Sequence, residues 1–296
     1  MGTLAWHDRG VAVFESLSLP VEVQVKLTEL VAIIDDLGPV VTAFSGGADS
    51  AFVAAVAHEV LGAERAHAVT AVSPSLAGDE EADCRQLAQE WNLRWTPVST
   101  AEMERAAYRA NDIDRCYHCK AELMDVVGPI ADREGATVIL GVNVDDLADH
   151  RPGQRAALER GAVFPLVQAG FTKDDVRLVS HAMGLRTWDK PAAACLASRV
   201  PYGTPVSVEI LSRVDRAEAA LHGLGFRQVR VRHYGETARI EVIESELENA
   251  LSQRSFIIEA VKAAGYQYVT LDLEGFRSGN LNFGVTESSS GASSHS

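Results

Sequence analysis

Three short stretches of this sequence carry residues whose types and spacing belong to chemistry. "FSGGADS" (44–50) sets two glycines, two serines and an aspartate in one turn. Gly46 and Gly47 let consecutive backbone N–H groups face a single anion, and Ser45 and Ser50 offer hydroxyls to phosphate oxygens. Asp49 is out of place in an anion site unless it holds a cation, and Mg2+ carried by a polyphosphate fits. "RCYHCK" (115–120) spaces Cys116 and Cys119 as a CxxC pair, with Lys120 beside them to favour thiolates or bind phosphate. "PAAACLASR" (191–199) brings Cys195, followed by Ser198 and Arg199. By residue type alone the pair is open to a redox dithiol or to a zinc site closed by Cys116, His118, Cys119 and Cys195. The fourth cysteine, Cys84, falls within a helical stretch and reads as packing.

These stretches need elements to position them. Apolar residues at helical spacing predict an amphipathic helix over 22–37. Residues 38–44 are a short β-branched apolar run, the profile of a buried parallel strand. Further strands are expected at 66–72, 93–99 and 137–143. Helices are expected from the glycine turn to about Leu61, at 78–91, and at 120–135, where Gly128-Pro129 would kink the last. Strands alternating with helices imply an α/β fold around a parallel sheet, with a nucleotide at the strand carboxyl ends. Asn143, Asp145, Asp146 and Arg151 follow the fourth strand and so share an end with the phosphate loop. The carboxylates could hold Mg2+, and Arg151 a phosphate or a substrate carboxylate; the plain alternative is an Asp cap in a solvated loop.

After about residue 203 the pattern changes to a smaller α+β module. A helix is expected at 207–225, strands at 226–234 and 237–243 joined through Gly235-Glu236, a helix at 244–265 and a strand at 266–275. Arg230 and Arg232 alternate with Val229 and Val231, so two arginines share a strand face and can hold a phosphate. Glu241 on the next strand would pair across with one of them or bind a metal. The expected division is 1–203, 204–284, and a low-complexity, disordered tail at 285–296.

The 296 residues carry a net charge of −14. That argues against broad electrostatic binding to nucleic acid or to an anionic membrane, while "RQVRVRH" (227–233) leaves room for a small anionic ligand. No apolar run approaches the roughly 18 residues of a membrane span, and the first residues lack a signal-peptide core. A cytosolic protein with reduced thiols is expected, where paired cysteines point to metal or catalysis rather than a disulfide.

The string "SGGADS", after a strand and opening a helix, resembles the PP-loop of ATP pyrophosphatases, among them GMP synthetase, NAD synthetase and tRNA-thiolating enzymes. The resemblance implies ATP binding, adenylation of a substrate and pyrophosphate release; the Walker-type G-x-x-x-x-G-K-[ST] is absent. Taken with "DRCYHCK", "GVNVDDLADHRPG", "WDKPAAACLASRVPYG", "VRVRHYGETARIEV" and "LDLEGFRSGNLN", most of the chain resembles the LarE family. These are ATP-dependent sulfur transferases that help build the nickel-pincer nucleotide cofactor of lactate racemase.

The family resemblance implies that ATP adenylates a carboxylate of pyridinium-3,5-biscarboxylic acid mononucleotide, and that sulfur then displaces AMP to give a thiocarboxylate. It implies ATP contacts from Ser45, Gly46, Gly47, Asp49, Ser50, Asn143 and Asp145, with Mg2+ on Asp49. It implies substrate contacts from Lys120, Arg151, Ser198, Arg199, Arg230, Arg232, Glu241 and Arg277, and a homo-oligomer. The CxxC pair resembles the three-cysteine type, in which Cys116, Cys119 and Cys195 bind a [4Fe-4S] cluster fed by an outside sulfide source. In the other type a lone cysteine at the Cys195 position gives up its own sulfur. Rival readings are an ammonia-using synthetase that needs no cysteines, a tRNA thiolase, which the net charge opposes, and a metal-binding protein without catalysis.

Overall fold

A computed structural model describes residue 14 and residues 16–147, 152–191 and 194–277. Arg151 and the expected tail at 285–296 lie outside the described residues. The described chain divides into two compact units. One takes the residues up to Tyr108 together with Asp114–Ala194; the other takes Arg109–Ile113 and the residues from Cys195 onward. The expected boundary at 203/204 thus stands beside an observed one at 194/195, which gives Cys195, Ser198 and Arg199 to the second unit.

The first unit is a parallel sheet wrapped by helices. Its strands are β1 (Val40–Ala43), β2 (Ala66–Val72), β3 (Arg94–Ser99) and β4 (Thr137–Leu140). Their order is β3-β2-β1-β4, and every pairing is parallel. Alternation along β1 sends side chains to both faces. Val40 joins a cluster with Leu27, Leu30 and Ile34 of helix α1 (Val21–Leu37) and with Phe52 and Val56 of α2 (Ala48–Leu61). Val41 joins the opposite cluster, with Leu123, Met124 and Val127 of α4 (Arg115–Glu134). Helix α2 is buried on nearly all sides, and its alanines let it lie close to the sheet. Each fully buried aliphatic side chain contributes about 1.5–3 kcal/mol, so the clusters on both faces hold β1 inside the sheet. Helix α3 (Gly78–Glu90) lies between β2 and β3 in the chain, and α5 (Pro152–Leu158) and α6 (Lys173–Ala182) follow β4.

The chain leaves β1 toward β2 on one side and returns to β4 on the other. The crevice between β1 and β4 is therefore the topological switch point, where parallel sheets receive ligands.

The second unit has helix α7 (Val208–Gly223), strands β5 (Val229–Tyr234), β6 (Thr237–Val242) and β7 (Tyr268–Leu271), and helix α8 (Arg254–Ala263). Strand β5 pairs antiparallel with β6, and β6 parallel with β7. Its core gathers Ala217, Leu221, Val231, Ile240 and Val261. The helix expected over 244–265 is broken at Gln253 into two pieces. Among the described residues no helix is long and apolar enough to cross a membrane.

Candidate functional site

The phosphate loop spans the gap between β1 and α2. Gly46 has φ +70°, and a Cβ there would stand 2.8 Å from the Cys84 sulfur, so both backbone and space call for glycine. Burial pushes the Cys84 thiol up to about 11, which keeps it neutral beneath the loop. Ser50 closes the turn. Its hydroxyl donates to the Gly47 carbonyl at 3.1 Å, accepts from the Ser45 N–H at 3.2 Å and lies 3.0 Å from the Ser45 hydroxyl. Ser45 itself is exposed at the lip of the loop.

The exit of β4 presses on this turn. A Cβ on Gly141 would lie 2.6 Å from the Ser50 nitrogen and 2.7 Å from the Asp49 carbonyl carbon, so only glycine fits. Asn143, fully buried, donates from Nδ2 to Asp49 Oδ1 at 2.9 Å. It also accepts from the Asp146 N–H at 3.2 Å and donates its own N–H to Asp146 Oδ2 at 3.3 Å. Burial raises the Asp49 pKa; the Asn143 bond opposes the shift, the Asp146 charge adds to it, and Lys173 pulls it back.

Asp145 points elsewhere. It is exposed and accepts the Lys173 backbone N–H at 2.7 Å, at the start of α6. The buried carboxylate beside Asn143 is Asp146, whose Oδ1 lies 3.4 Å from the Lys173 ammonium. Among the described residues no three His, Cys, Asp or Glu side chains gather as a metal cage. A Mg2+ that arrives on a nucleotide needs only one or two protein carboxylates besides phosphate and water, and Asp49 and Asp146, both bonded to Asn143, are the carboxylates this crevice offers.

The CxxC pair lies inside α4, in its first turn, rather than ahead of the helix as expected. Helical spacing puts Cys116 and Cys119 on one face; Cys116 is exposed and Cys119 half-buried, and no disulfide joins any of the cysteines. His118, the fourth ligand of the zinc alternative, has its Nε2 3.1 Å from Asp114 Oδ2. The Tyr117 hydroxyl donates to Glu159 Oε2 at 2.6 Å, and Arg155 and Arg160 sit over its ring at 5.2 and 5.8 Å.

A Cβ on Gly153 of α5 would come within 3.0 Å of both the Cys116 carbonyl oxygen and the Lys120 Cγ. The next residue, Gln154, donates from Nε2 to the Asp146 carbonyl at 3.1 Å. Contacts therefore run without a gap from the phosphate loop, through Asp49, Asn143, Asp146 and α5, to the cysteine turn.

In the second unit Arg199, Arg230 and Arg232 are buried, and two of them are committed to carboxylates. Arg199 donates twice to Glu218, at 2.9 and 2.8 Å, and from Nη1 to the Cys195 carbonyl at 3.3 Å. Glu218 also accepts the Val231 N–H at 2.8 Å. Arg232 donates to Glu241 at 2.8 Å and to the Ser198 carbonyl at 2.9 Å. Glu241, wholly buried, also accepts from Arg239 at 3.0 Å. Arg230 is the register partner of Glu241, yet among the described residues it has no ion pair and stacks over Phe276 at 4.3 Å. Burial, with Arg199 and Arg232 nearby, lowers its pKa to about 10. Arg277 pairs with Glu274 at the surface.

Three residues of this arrangement were not singled out by sequence reasoning. Lys173 had a signal: Thr172 and Asp175 form a capping box that marks the start of α6. Gly153 and Lys190 had none, because their roles rest on contacts distant in sequence. Lys190 is held by Glu80 at 2.7 Å and Asp83 at 2.6 Å, and its ammonium is 3.8 Å from where a Gly46 side chain would stand.

The NAD synthase family model matches residues 24–122. The chain is 44% identical over 265 residues to an uncharacterized protein of Synechocystis sp., covering 88% of this chain and 98% of that protein. It is 36% identical over 263 residues to the pyridinium-3,5-bisthiocarboxylic acid mononucleotide synthase of Lactiplantibacillus plantarum, covering 88% and 95%. A more distant relative, an uncharacterized protein of Methanocaldococcus jannaschii, is 25% identical over 240 residues, covering 81% and 91%.

Proposed function

The chain belongs to the pyridinium-3,5-bisthiocarboxylic acid mononucleotide synthase (LarE) family, and from that premise we propose that it is an ATP-dependent sulfur transferase of nickel-pincer cofactor assembly. The observation that carries this reading is the unbroken run of contacts between the phosphate loop and the cysteine turn. It supports the reading by joining the loop that would serve carboxylate activation to the turn whose thiols would serve sulfur transfer.

In this reading the backbone N–H groups of Gly46 and Gly47, with Ser45 and Ser50, hold the departing pyrophosphate. Asp49, oriented by Asn143, holds Mg2+ on the nucleotide. A substrate carboxylate oxygen attacks the α-phosphorus of ATP, the bond to pyrophosphate breaks, and an acyl adenylate remains. Sulfur then adds at the activated carbonyl carbon, and AMP leaves with the electron pair of its C–O bond. Lys120 and Arg230 contribute positive charge for the substrate phosphate, with Ser198 near them in role. Cys116, Cys119 and Cys195 would supply three thiolate ligands to a [4Fe-4S] cluster. When bound, such a cluster supplies the sulfide that the adenylate receives, and an outside source replenishes it. A cytosolic setting and a homo-oligomer complete the reading.

The experiment is anaerobic reaction of the purified protein with ATP, Mg2+ and the dicarboxylate mononucleotide. Pyrophosphate, AMP and thiocarboxylate are quantified beside iron content and the intact protein mass. Thiocarboxylate formed with the mass unchanged and iron present supports the three-cysteine reading. A mass loss of one hydrogen sulfide (roughly 34 Da, Cys195 becoming dehydroalanine) assigns the sulfur to Cys195 instead. Absence of pyrophosphate release overturns the adenylating function.

A further inference from the structure

Lys173 is the first residue of α6, at the positive end of a helix dipole, where a lysine is disfavoured. Its surroundings account for the placement. Its ammonium is 3.4 Å from Asp146 Oδ1, and its charge also acts on Asp49. Asp146 is 5% exposed, so its carboxylate has little water to stabilise it. The helix start is anchored from several sides: the Lys173 N–H donates to Asp145, Thr172 and Asp175 form the capping box, and Lys26 pairs with Asp175 at 2.7 Å. The base of the Lys173 side chain is therefore fixed. Its 44% exposed, flexible stem can still carry the ammonium away.

We propose that Lys173 is a built-in counter-cation, which neutralises the Asp49–Asp146 pair before nucleotide arrives and is displaced when a divalent cation takes those oxygens. The inference rests on reading this crevice as the Mg2+–nucleotide site. A monovalent ammonium and a divalent cation compete for the same buried carboxylate, and their mutual repulsion weakens metal binding to the empty protein. Mg2+ then binds well only when nucleotide phosphates add their negative charge and give the ammonium a new partner.

The test is Mn2+ titration of the full-length protein without nucleotide, followed by electron paramagnetic resonance. Lys173→Met is expected to bind Mn2+ at least about tenfold more tightly than wild type, a gain of the size one local charge produces. Lys173→Arg, which keeps the charge, should stay as weak as wild type. Asp49→Asn added to Lys173→Met should abolish the gain. Lys173→Gln repeats the charge removal with a polar side chain, and thermal melting reports folding of each variant. Unchanged or weaker Mn2+ binding in folded Lys173→Met and Lys173→Gln overturns the proposal, as does tight binding that survives Asp49→Asn. The expected Mn2+ pattern in a protein that releases no pyrophosphate would sink the proposed function and leave this inference standing.

Discussion

At the scale of single residues the site separates groups that hold the fold from groups left to hold a ligand. Asp49 is costly to bury and is kept in place by Asn143; in the proposed function that cost is offset by the metal it would serve. Asp49→Asn preserves the shape and is expected to lower pyrophosphate release by roughly a hundredfold without loss of thermal stability, checked by coupled assay and melting. Arg230 and Arg232 looked equivalent in the sequence, two basic residues alternating with valines. They are not equivalent in the fold. Arg232→Ala would take two charge-assisted hydrogen bonds from the fully buried Glu241, and a loss of about 3–5 kcal/mol is expected in denaturant unfolding. Arg230→Ala breaks no ion pair among the described residues; it should raise the KM for the mononucleotide with little change in stability or in ATP binding. Alternation in the sequence revealed that the arginines share a face, but partner choice depends on register and diagonal reach, which alternation does not encode.

At the scale of elements, β1, β2 and β4 were legible because buried parallel strands are short apolar runs, and the half-exposed edge strand β3 because Trp95, Thr96 and Val98 favour extended chain. Their order was not, since it depends on which crossover the chain takes. The start of α4 was also misplaced, because Cys, Tyr and His are weak helix formers, and packing against α5 overrides that preference. Gly153 is the contact point. Gly153→Val should push the cysteine turn off α5, reducing iron content and thiocarboxylate yield severalfold while pyrophosphate release persists, measured on the same preparation. The opposite end of the sheet carries a proton-linked contact. His67 of β2 lies 3.0 Å from Glu134 of α4 and 2.9 Å from Thr96 of β3. Burial first, and Arg94 second, lower its pKa below 6.5, against the pull of Glu134. The unfolded chain therefore takes up the proton more readily. This contribution to stability is fully present above pH 6.5 and is lost as pH falls below it toward the folded value. His67→Gln should flatten the dependence of melting temperature on pH between about 7.5 and 5.5.

At the scale of the whole molecule, the sequence showed two modules but not that the second borrows a piece of the first stretch of chain. Arg109–Ile113 belongs with the residues from Cys195 onward. Asn111 holds it there, donating from Nδ2 to the carbonyls of Pro201 at 2.8 Å, Thr204 at 2.9 Å and Val200 at 3.3 Å. Two backbone bonds, Val206 N–H to Arg109 O and Gly203 N–H to Asn111 O, add to the anchor. A fragment ending at Ala194 should be cut rapidly by trypsin after Arg109, where the full chain resists, with gel electrophoresis and mass spectrometry as the readout. Nothing local marks such a segment, because a single buried asparagine resembles any turn residue. The same anchor sets a schedule for the ribosome. Asn111 emerges first, and its acceptors follow about ninety residues later, several seconds at roughly 5–20 residues per second. Through that interval the segment just ahead of the cysteine turn is made but has nowhere to dock, which exposes the nascent chain to proteases and chaperones there.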